Sequence, residues 1–512
     1  MIQKYLSDTE KITIFAPTTL NTMKKHLLGI LSLFCLWVTK ADAQRLTLEQ
    51  AIRIAQENSY SAQVAQFSFM ASYWNYRSFK AQLKPAVNLN GTLGSFDHSL
   101  VETRNYEDGR INYVNNNSLV NYLTLSVDQS IAATGGTISL QSYLYRLDQF
   151  SYNETTWKAQ PLRISYTQPL KTYNTLKWNK KIAPVEYQVA QRDYLAAMQD
   201  IAIQVTSLFF NVLSAQSNLK QSEASLADRD SLLVSAQRRL ALGTTSKSEV
   251  LQLELSAINA RVSVNTNRLN LNDRMYQLFA YLRVKDYENA ELIPPYFVPE
   301  VILSVDDVLN KAIANSSYTL EKKEELLNAE MALAQAKSNR GLQLTLRSEL
   351  GLSQSAHNFR GAYTSPLDNE IVGLSLSLPI FDWGVSRGKV KMAQARLDMV
   401  RTQQEQAYLD YVQNLNKKVL QFNMQPQQCQ DALRAQEIAE ERYGITRRRF
   451  ETGAISVTDL NTAQQELESA KAQYINQLYT FWSDYYSLQK STLHDWISGV
   501  DLTVDVEQLI DK

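Results

Sequence analysis

Two periodicities divide this chain. Leu342, Leu344 and Leu346 alternate with Gln343, Thr345 and Arg347, and Val372, Leu374, Leu376 and Leu378 alternate with Gly373, Ser375 and Ser377. Period two is the mark of a strand with one apolar and one polar face. The pattern recurs upstream at Val87, Leu89 and Leu93, and at Leu162, Ile164 and Tyr166 ahead of Pro169. Elsewhere the spacing lengthens: Val390, Ala393, Leu397, Val400, Ala407, Tyr411, Leu415, Val419 and Phe422 fall in steps of three and four, broken only at Gln404. That is a sustained helical seam of coiled-coil type. Pro426 lies inside it and is expected to kink the helix.

The chain also repeats itself. Leu46 through Ser59 returns as Leu303 through Ser316, 257 residues on, with Thr47 and Ser304 as helix N-caps and Gln50 and Asp307 three residues beyond them. The offset then changes to 210: Pro169-Leu170 returns as Pro379-Ile380, and Arg238-Arg239-Leu240 with Gly243 and Ser246 returns as Arg448-Arg449-Phe450 with Gly453 and Ser456. Proline and glycine stay 74 residues apart in both halves, while the first half carries 47 extra residues before its proline. This is a duplication with one insertion. Each half predicts a helix of about 37 residues, a strand, a loop, a strand ending at the proline, a helix of about 66, a Gly turn and a helix of about 40; the longest would reach about 100 Å. Pro294, Pro295 and Pro299 mark a connector between the halves, residues 286–302.

The alternating segments are about ten residues long, the length of a tilted membrane-barrel strand. They equally suit a sheet with one face on a soluble core. Long helices that no compact core could cover, and the lack of an apolar run of spanning-helix length, favour the barrel. Membrane strands must close into one, four are too few, and several chains must therefore share it. Within the insertion, runs at Leu119–Ala132 and Thr137–Tyr145 around Thr134-Gly135-Gly136 read as an extra hairpin, inside the barrel or against its rim. Asp97–Ser118 and Ser353–Asn369 read as surface loops.

Lys24 and Lys25, the apolar stretch Leu27–Val38 and Ala41-Asp42-Ala43 have the order of a secretory signal, residues 1–43, with translation expected to start at Met23. The apolar stretch is too short for an anchor. Leu33 and Phe34 before Cys35 argue against lipid attachment. Without the signal, 47 basic face 49 acidic side chains, which implies no nucleic-acid partner. Cys429 then stands as the only cysteine, so no intrachain disulfide forms. His98, His357 and His494 are scattered, and no phosphate loop, nucleophile elbow or dinucleotide fingerprint appears. No catalytic, metal or cofactor residue is expected; the chain reads as a non-enzyme.

The duplicated Arg-x-x-x-Gly-x-x-Ser-x-x-acid-hydrophobic turns at Arg239–Val250 and Arg449–Leu460, each following a strand-ending proline, resemble the TolC-type outer-membrane efflux family. The resemblance covers nearly the whole mature chain. It implies an α+β membrane protein: a homotrimeric twelve-stranded β-barrel in the outer-membrane lipid, continuous with a twelve-helix coiled-coil tube in the periplasm and built from two tandem repeats. These are residues 44–285 with barrel strands at about 86–170, and residues 303–497 with barrel strands at about 342–380. The connector and the tail 498–512 would belt the tube. The function implied is a passive exit duct of a tripartite efflux or type I secretion system, driven by an inner-membrane transporter through a periplasmic adaptor. Arg239, Gly243, Ser246, Arg449, Gly453 and Ser456 would form the periplasmic tip and adaptor-docking surface. Glu249 and Asp459 would form rings of lumen acids, ion-paired with the nearby arginines to hold the tip shut, or would simply match the helix dipoles. A structural or adhesive coiled-coil protein of the cell envelope is the competing reading.

Overall fold

The computed structural model describes residues 45–104, 109–285, 290–295, 297–452 and 454–510. The signal-like segment lies outside them, as does part of the connector. The helices come in two matched sets. The first repeat holds α1 (Leu48–Asn58), α2 (Tyr60–Gln82), α3 (Thr175–Ala241) and α4 (Lys247–Leu282), of 11, 23, 67 and 36 residues. The second holds α5 (Val305–Asn315), α6 (Tyr318–Arg340), α7 (Val385–Glu451) and α8 (Val457–Thr492), of the same four lengths. A short α9 (Val506–Ile510) follows.

One helix of about 37 residues was expected to open each repeat, and two are found. At Ser59 the backbone leaves the helical region (φ −66°, ψ 153°), its amide still bonds Ala55 O, and its Oγ accepts the amide of Ala62. One buried serine thus ends α1 and caps α2, re-aiming the chain without stranding polar groups. Thr47 forms a full capping box with Gln50, whereas Ser304 makes no side-chain cap bond. Neither Pro184 nor Pro426 interrupts its long helix.

The seam read from the sequence is the packed face of α7. Ala393, Leu397, Leu415, Val419 and Phe422 are buried. Where Gln404 breaks the period, its Nε2 donates to Lys322 O of α6 at 2.7 Å. The main core gathers α1, α3, α4, α5, α7 and α8 around Phe209, Phe422, Phe481 and Leu478. A two-residue parallel pair joins the start of the first repeat to the connector, β1 (Arg45–Leu46) against a strand at Glu291–Leu292. One 18-residue window of α3 is apolar enough to span a membrane, contrary to the sequence reading. Less than half of that window, 44%, is buried, and α3 as a whole buries Ile201, Val205, Phe209 and Phe210 in this core.

Six strands form one antiparallel sheet: β2 (Ala86–Arg104), β3 (Ile111–Ile131), β4 (Gly136–Gln149), β5 (Glu154–Lys171), β7 (Gln343–Ala356) and β8 (Leu367–Ser377), in that order, with β6 denoting the strand at Glu291–Leu292; His494–Asp495 and Val500–Asp501 pair separately near the C-terminus. Of the two placements the sequence left open for the inserted hairpin, the structure has β3–β4 within the sheet, between β2 and β5, which gives six strands per chain rather than four. Residues 97–104 and 111–118 are likewise paired strands rather than loop, with Asp97 opposite Ser118 and Arg104 opposite Ile111. Their polar side chains bond across the ladder, as Asn116 Nδ2 does to Asp97 Oδ2 at 2.7 Å. Strand β7 similarly runs on to Ala356 within the other expected loop.

Candidate functional site: the sheet wall and the hairpin tip

Cross-strand partners share a face, so the register sorts the wall's side chains. One row runs Asn88, Ser126, Gln141, Arg163, Gly351, Asn369 across all six strands. The adjacent row, on the opposite face, runs Val87, Val127, Leu140, Ile164, Leu350 and ends at Glu370. Leu89 opposite Leu125, Leu123 opposite Leu144, Leu346 opposite Leu374 and Leu344 opposite Leu376 widen the apolar side into a band. On the polar side Arg163 bonds Gln141 and pairs with Glu349 at 3.7 Å, and Asn88 donates to Asp128 at 3.2 Å. The protein covers neither edge of this band: Val87, Leu89, Leu374 and Leu376 are each more than half exposed. A sheet with one polar face and an uncovered apolar band has the pattern that a membrane-barrel wall requires.

At the far end of the long helices each hairpin turns in five residues. Gly243 adopts φ +74°, a left-handed conformation that a side chain would strain. Arg239 O accepts the amide of Thr244 at 3.0 Å, and Arg449 O accepts that of Ala454 at 2.9 Å, so both arginines close their turns through their backbones. Gly453 lies outside the described residues. Ser246 and Ser456 cap the returning helices, their Oγ atoms accepting the amides of Glu249 and Asp459 at 3.2 Å. Asp459 completes a capping box, its Oδ2 accepting from Ser456 N at 3.1 Å and Oγ at 2.8 Å. Those bonds, from Ser456 first and helped by the positive charge of Arg449, hold its carboxyl below the usual range. Glu249 accepts from Thr245 Oγ1 and shares a shallow depression with Arg239 and Phe450.

A second constellation lies about four turns above the Gly243 turn, and the sequence reading passed over most of it. Asp228 of α3 takes Arg447 Nη2 at 2.9 Å on one oxygen and Tyr443 Oη at 2.7 Å on the other, tying α7 to α3. Burial first, and then the Asp228 carboxylate, push the Tyr443 hydroxyl far up, so it stays a proton donor. Next to it Arg229 bonds Ser225, Ser256 and Gln464, joining α3, α4 and α8. Asp228 and Tyr443 are 215 residues apart and belong to no local motif. Only the parallel placement of α3 and α7 could have signalled them. Among the described residues no group of His, Cys, Asp and Glu is arranged to hold a metal ion.

A half-amphipathic sheet continued by paired coiled-coil hairpins is the architecture to set beside known proteins. Residues 308–492 match the family described as "Outer membrane efflux protein". The chain is 25% identical to the outer membrane protein TolC of Escherichia coli (strain K12) over 66% of its own length and 71% of that protein's. It is 20% identical to toxin and drug export protein A of Aggregatibacter actinomycetemcomitans, covering 83% of this chain and 94% of that one. Among solved structures, the Campylobacter jejuni CmeC outer membrane channel superposes with TM-score 0.63 at 14% identity over 91% of this chain and 88% of that one. The open state of the Neisseria gonorrhoeae MtrE channel gives 0.58 at 14% identity, over 88% and 89%. The chain is similar to the TolC-type outer-membrane efflux family in sequence over its second half and in fold over most of its length. The curated TolC relatives are outer-membrane proteins, and the matched family is one of efflux proteins, not enzymes.

Proposed function

We propose that this chain forms a homotrimeric exit duct through the outer membrane, serving a tripartite efflux or type I secretion system. The observation that carries the reading is the apolar band that continues in register across the strands, uncovered by the protein and backed by a polar face. Lipid covers the band; the polar face, with Asp128, Arg163 and Glu349, lines an aqueous lumen. Both sheet edges, β2 and β8, are unpaired, and unpaired edges are excluded from hydrocarbon. In an all-antiparallel sheet of six, β8 of one chain runs antiparallel to β2 of the next, so copies join without breaking the pattern. Three copies close an eighteen-stranded barrel rather than the twelve-stranded one that four strands per chain would give. At a spacing of about 4.8 Å and a tilt of about 40°, that is a backbone diameter of about 36 Å against about 24 Å.

The long hairpins continue the lumen as a helical tube into the periplasm. Arg239, Gly243, Ser246, Arg449, Gly453 and Ser456 form the tip, where an adaptor hairpin docks and links the duct to an inner-membrane pump. The pump supplies the energy. Glu249 and Asp459 stand near the tip as threefold rings of acids, and the Arg447–Asp228–Tyr443 clamp holds it closed. The structural or adhesive coiled-coil reading is not favoured, since such a protein gains nothing from an apolar wall. The test is fractionation and conductance of the wild-type protein: a heat-sensitive trimer in the outer-membrane fraction that conducts in planar bilayers is expected. A monomer in aqueous extracts would overturn the proposal.

A further inference from the structure

Where the sheet passes into the helices, all four connecting helix ends carry exposed cations. At the α2 end these are Arg77, Lys80 and Lys84; at the start of α3 they are Lys177, Lys180 and Lys181, with Lys171 closing β5. The α6 end contributes Lys337 and Arg340, and the α7 start contributes Arg387, Lys389 and Lys391. Seven residues of helix advance about 10 Å, so the cations on each helix lie within about that distance of the helix end that faces the wall. Within 75–85, 170–185, 334–341 and 379–392 the one carboxylate is Asp382, and its oxygens accept the amides of Gly384 and Ser386 at 3.0 and 2.8 Å.

Helix stability does not account for this charge. Cations at the C-termini of α2 and α6 suit the helix dipole, but those at the N-termini of α3 and α7 oppose it, and neither first turn holds an acid. Apolar and aromatic groups stand among the cations: Ile380, Phe381 and Trp383 are 92%, 72% and 89% exposed. Lys181 lies 4.9 Å from the Trp178 ring and Lys80 4.6 Å from that of Tyr76. Aromatic rings with Lys and Arg beside them, at the height where an apolar band ends, are the composition of a lipid headgroup boundary.

We propose that this belt binds the phosphates of anionic phospholipids in the leaflet facing the periplasm, with Lys177, Lys181, Lys389 and Lys391 as its main contacts on α3 and α7. The inference rests on the outer-membrane placement proposed above. A soluble polyanion or a purely luminal role would leave the exposed Ile380, Phe381 and Trp383 without a partner. Lipid contact satisfies charge and apolar surface together, and attraction to an anionic surface grows with each added Lys or Arg.

Native mass spectrometry of the detergent-solubilised assembly, titrated with phosphatidylglycerol or phosphatidylcholine, tests it. Wild type should retain at least about fivefold more of the anionic lipid. Lys177→Gln/Lys181→Gln/Lys389→Gln/Lys391→Gln should lose the preference, and Lys220→Gln/Arg434→Gln, which removes exposed cations far from the wall, should keep it. If the fourfold variant does not assemble, Lys389→Gln/Lys391→Gln carries the test with a partial loss. Equal retention of both lipids by wild type, or an unchanged preference in the belt variant, overturns the proposal. So does altered anion selectivity of single channels with lipid retention intact, which would put the cations in the lumen. Absence of wild type from the outer-membrane fraction would instead defeat the duct reading itself, before any lipid is added.

Discussion

Asp228 receives two donors from one face of α7, and that geometry makes it more than a surface ion pair. A single half-exposed Arg–carboxylate contact stabilises by only about 0–1 kcal/mol. The side chains of Arg447 and Asp228 are 46% and 21% exposed, so the ion pair alone is a weak latch. Tyr443 adds a second bond that burial shields from water, and the proposed threefold assembly would multiply both. Asp228→Ala should therefore raise single-channel conductance severalfold in planar bilayers, and Tyr443→Phe should raise it less. Conductance equal to wild type in both would remove the clamp from the mechanism. Cys429 makes the opposite point about position. Legible in the sequence only as a lone thiol, it is buried in the main core, and burial pushes its pKa up to about 11. The reactive thiolate is then scarce at pH 8. A maleimide probe should label the folded assembly negligibly at that pH and label it fully once denatured; fast labelling of the native protein would contradict the packing described.

At the scale of elements, periodicity carried most of the information. The steps of three and four along α7 marked the buried face correctly because a long helix has no other way to hide its apolar stripe. The repeat spacing marked the Gly turns for a similar reason: two hairpins of equal length must turn at equal distances from the wall. What escaped was local chemistry that overrides period. A single serine splits the first helix at Ser59, although the apolar pattern runs on through it. Polar residues 97–104 and 111–118 read as loop, yet they form a ladder whose side chains bond across the strands, as Asn116 does to Asp97. The core itself is ordinary in its energetics. Phe481 is fully buried with its ring 5.4 Å from that of Phe422. Phe481→Ala should cost about 3–5 kcal/mol per chain. The heat dissociation of the trimer on gels should shift to clearly lower temperature, and an unchanged transition would place the stabilising contacts elsewhere.

For the whole molecule the inserted hairpin decides the dimensions of the duct. The sequence revealed an insertion of 47 residues but not its place, because alternation fixes which way a side chain points and says nothing about which strand lies alongside. In the structure β3 and β4 separate β2 from β5. Strand β2 ends and β5 begins on the same side of the wall, so removing residues 105–153 would bring them together as antiparallel neighbours. Val87 and Leu89 would then continue the apolar face of Ile164 and Tyr166. The shortened chain should still trimerise, but as a twelve-stranded barrel about two-thirds as wide. The constriction at the tip would mask that change, so the comparison belongs in the Asp228→Ala background, where the barrel limits the current. Open-pore conductance scales with cross-section, and the deletion should lower it to about half while leaving the heat-sensitive trimer intact. A trimer that assembles and conducts as before would mean that β3 and β4 stand outside the closed wall, and the eighteen-stranded barrel would be withdrawn.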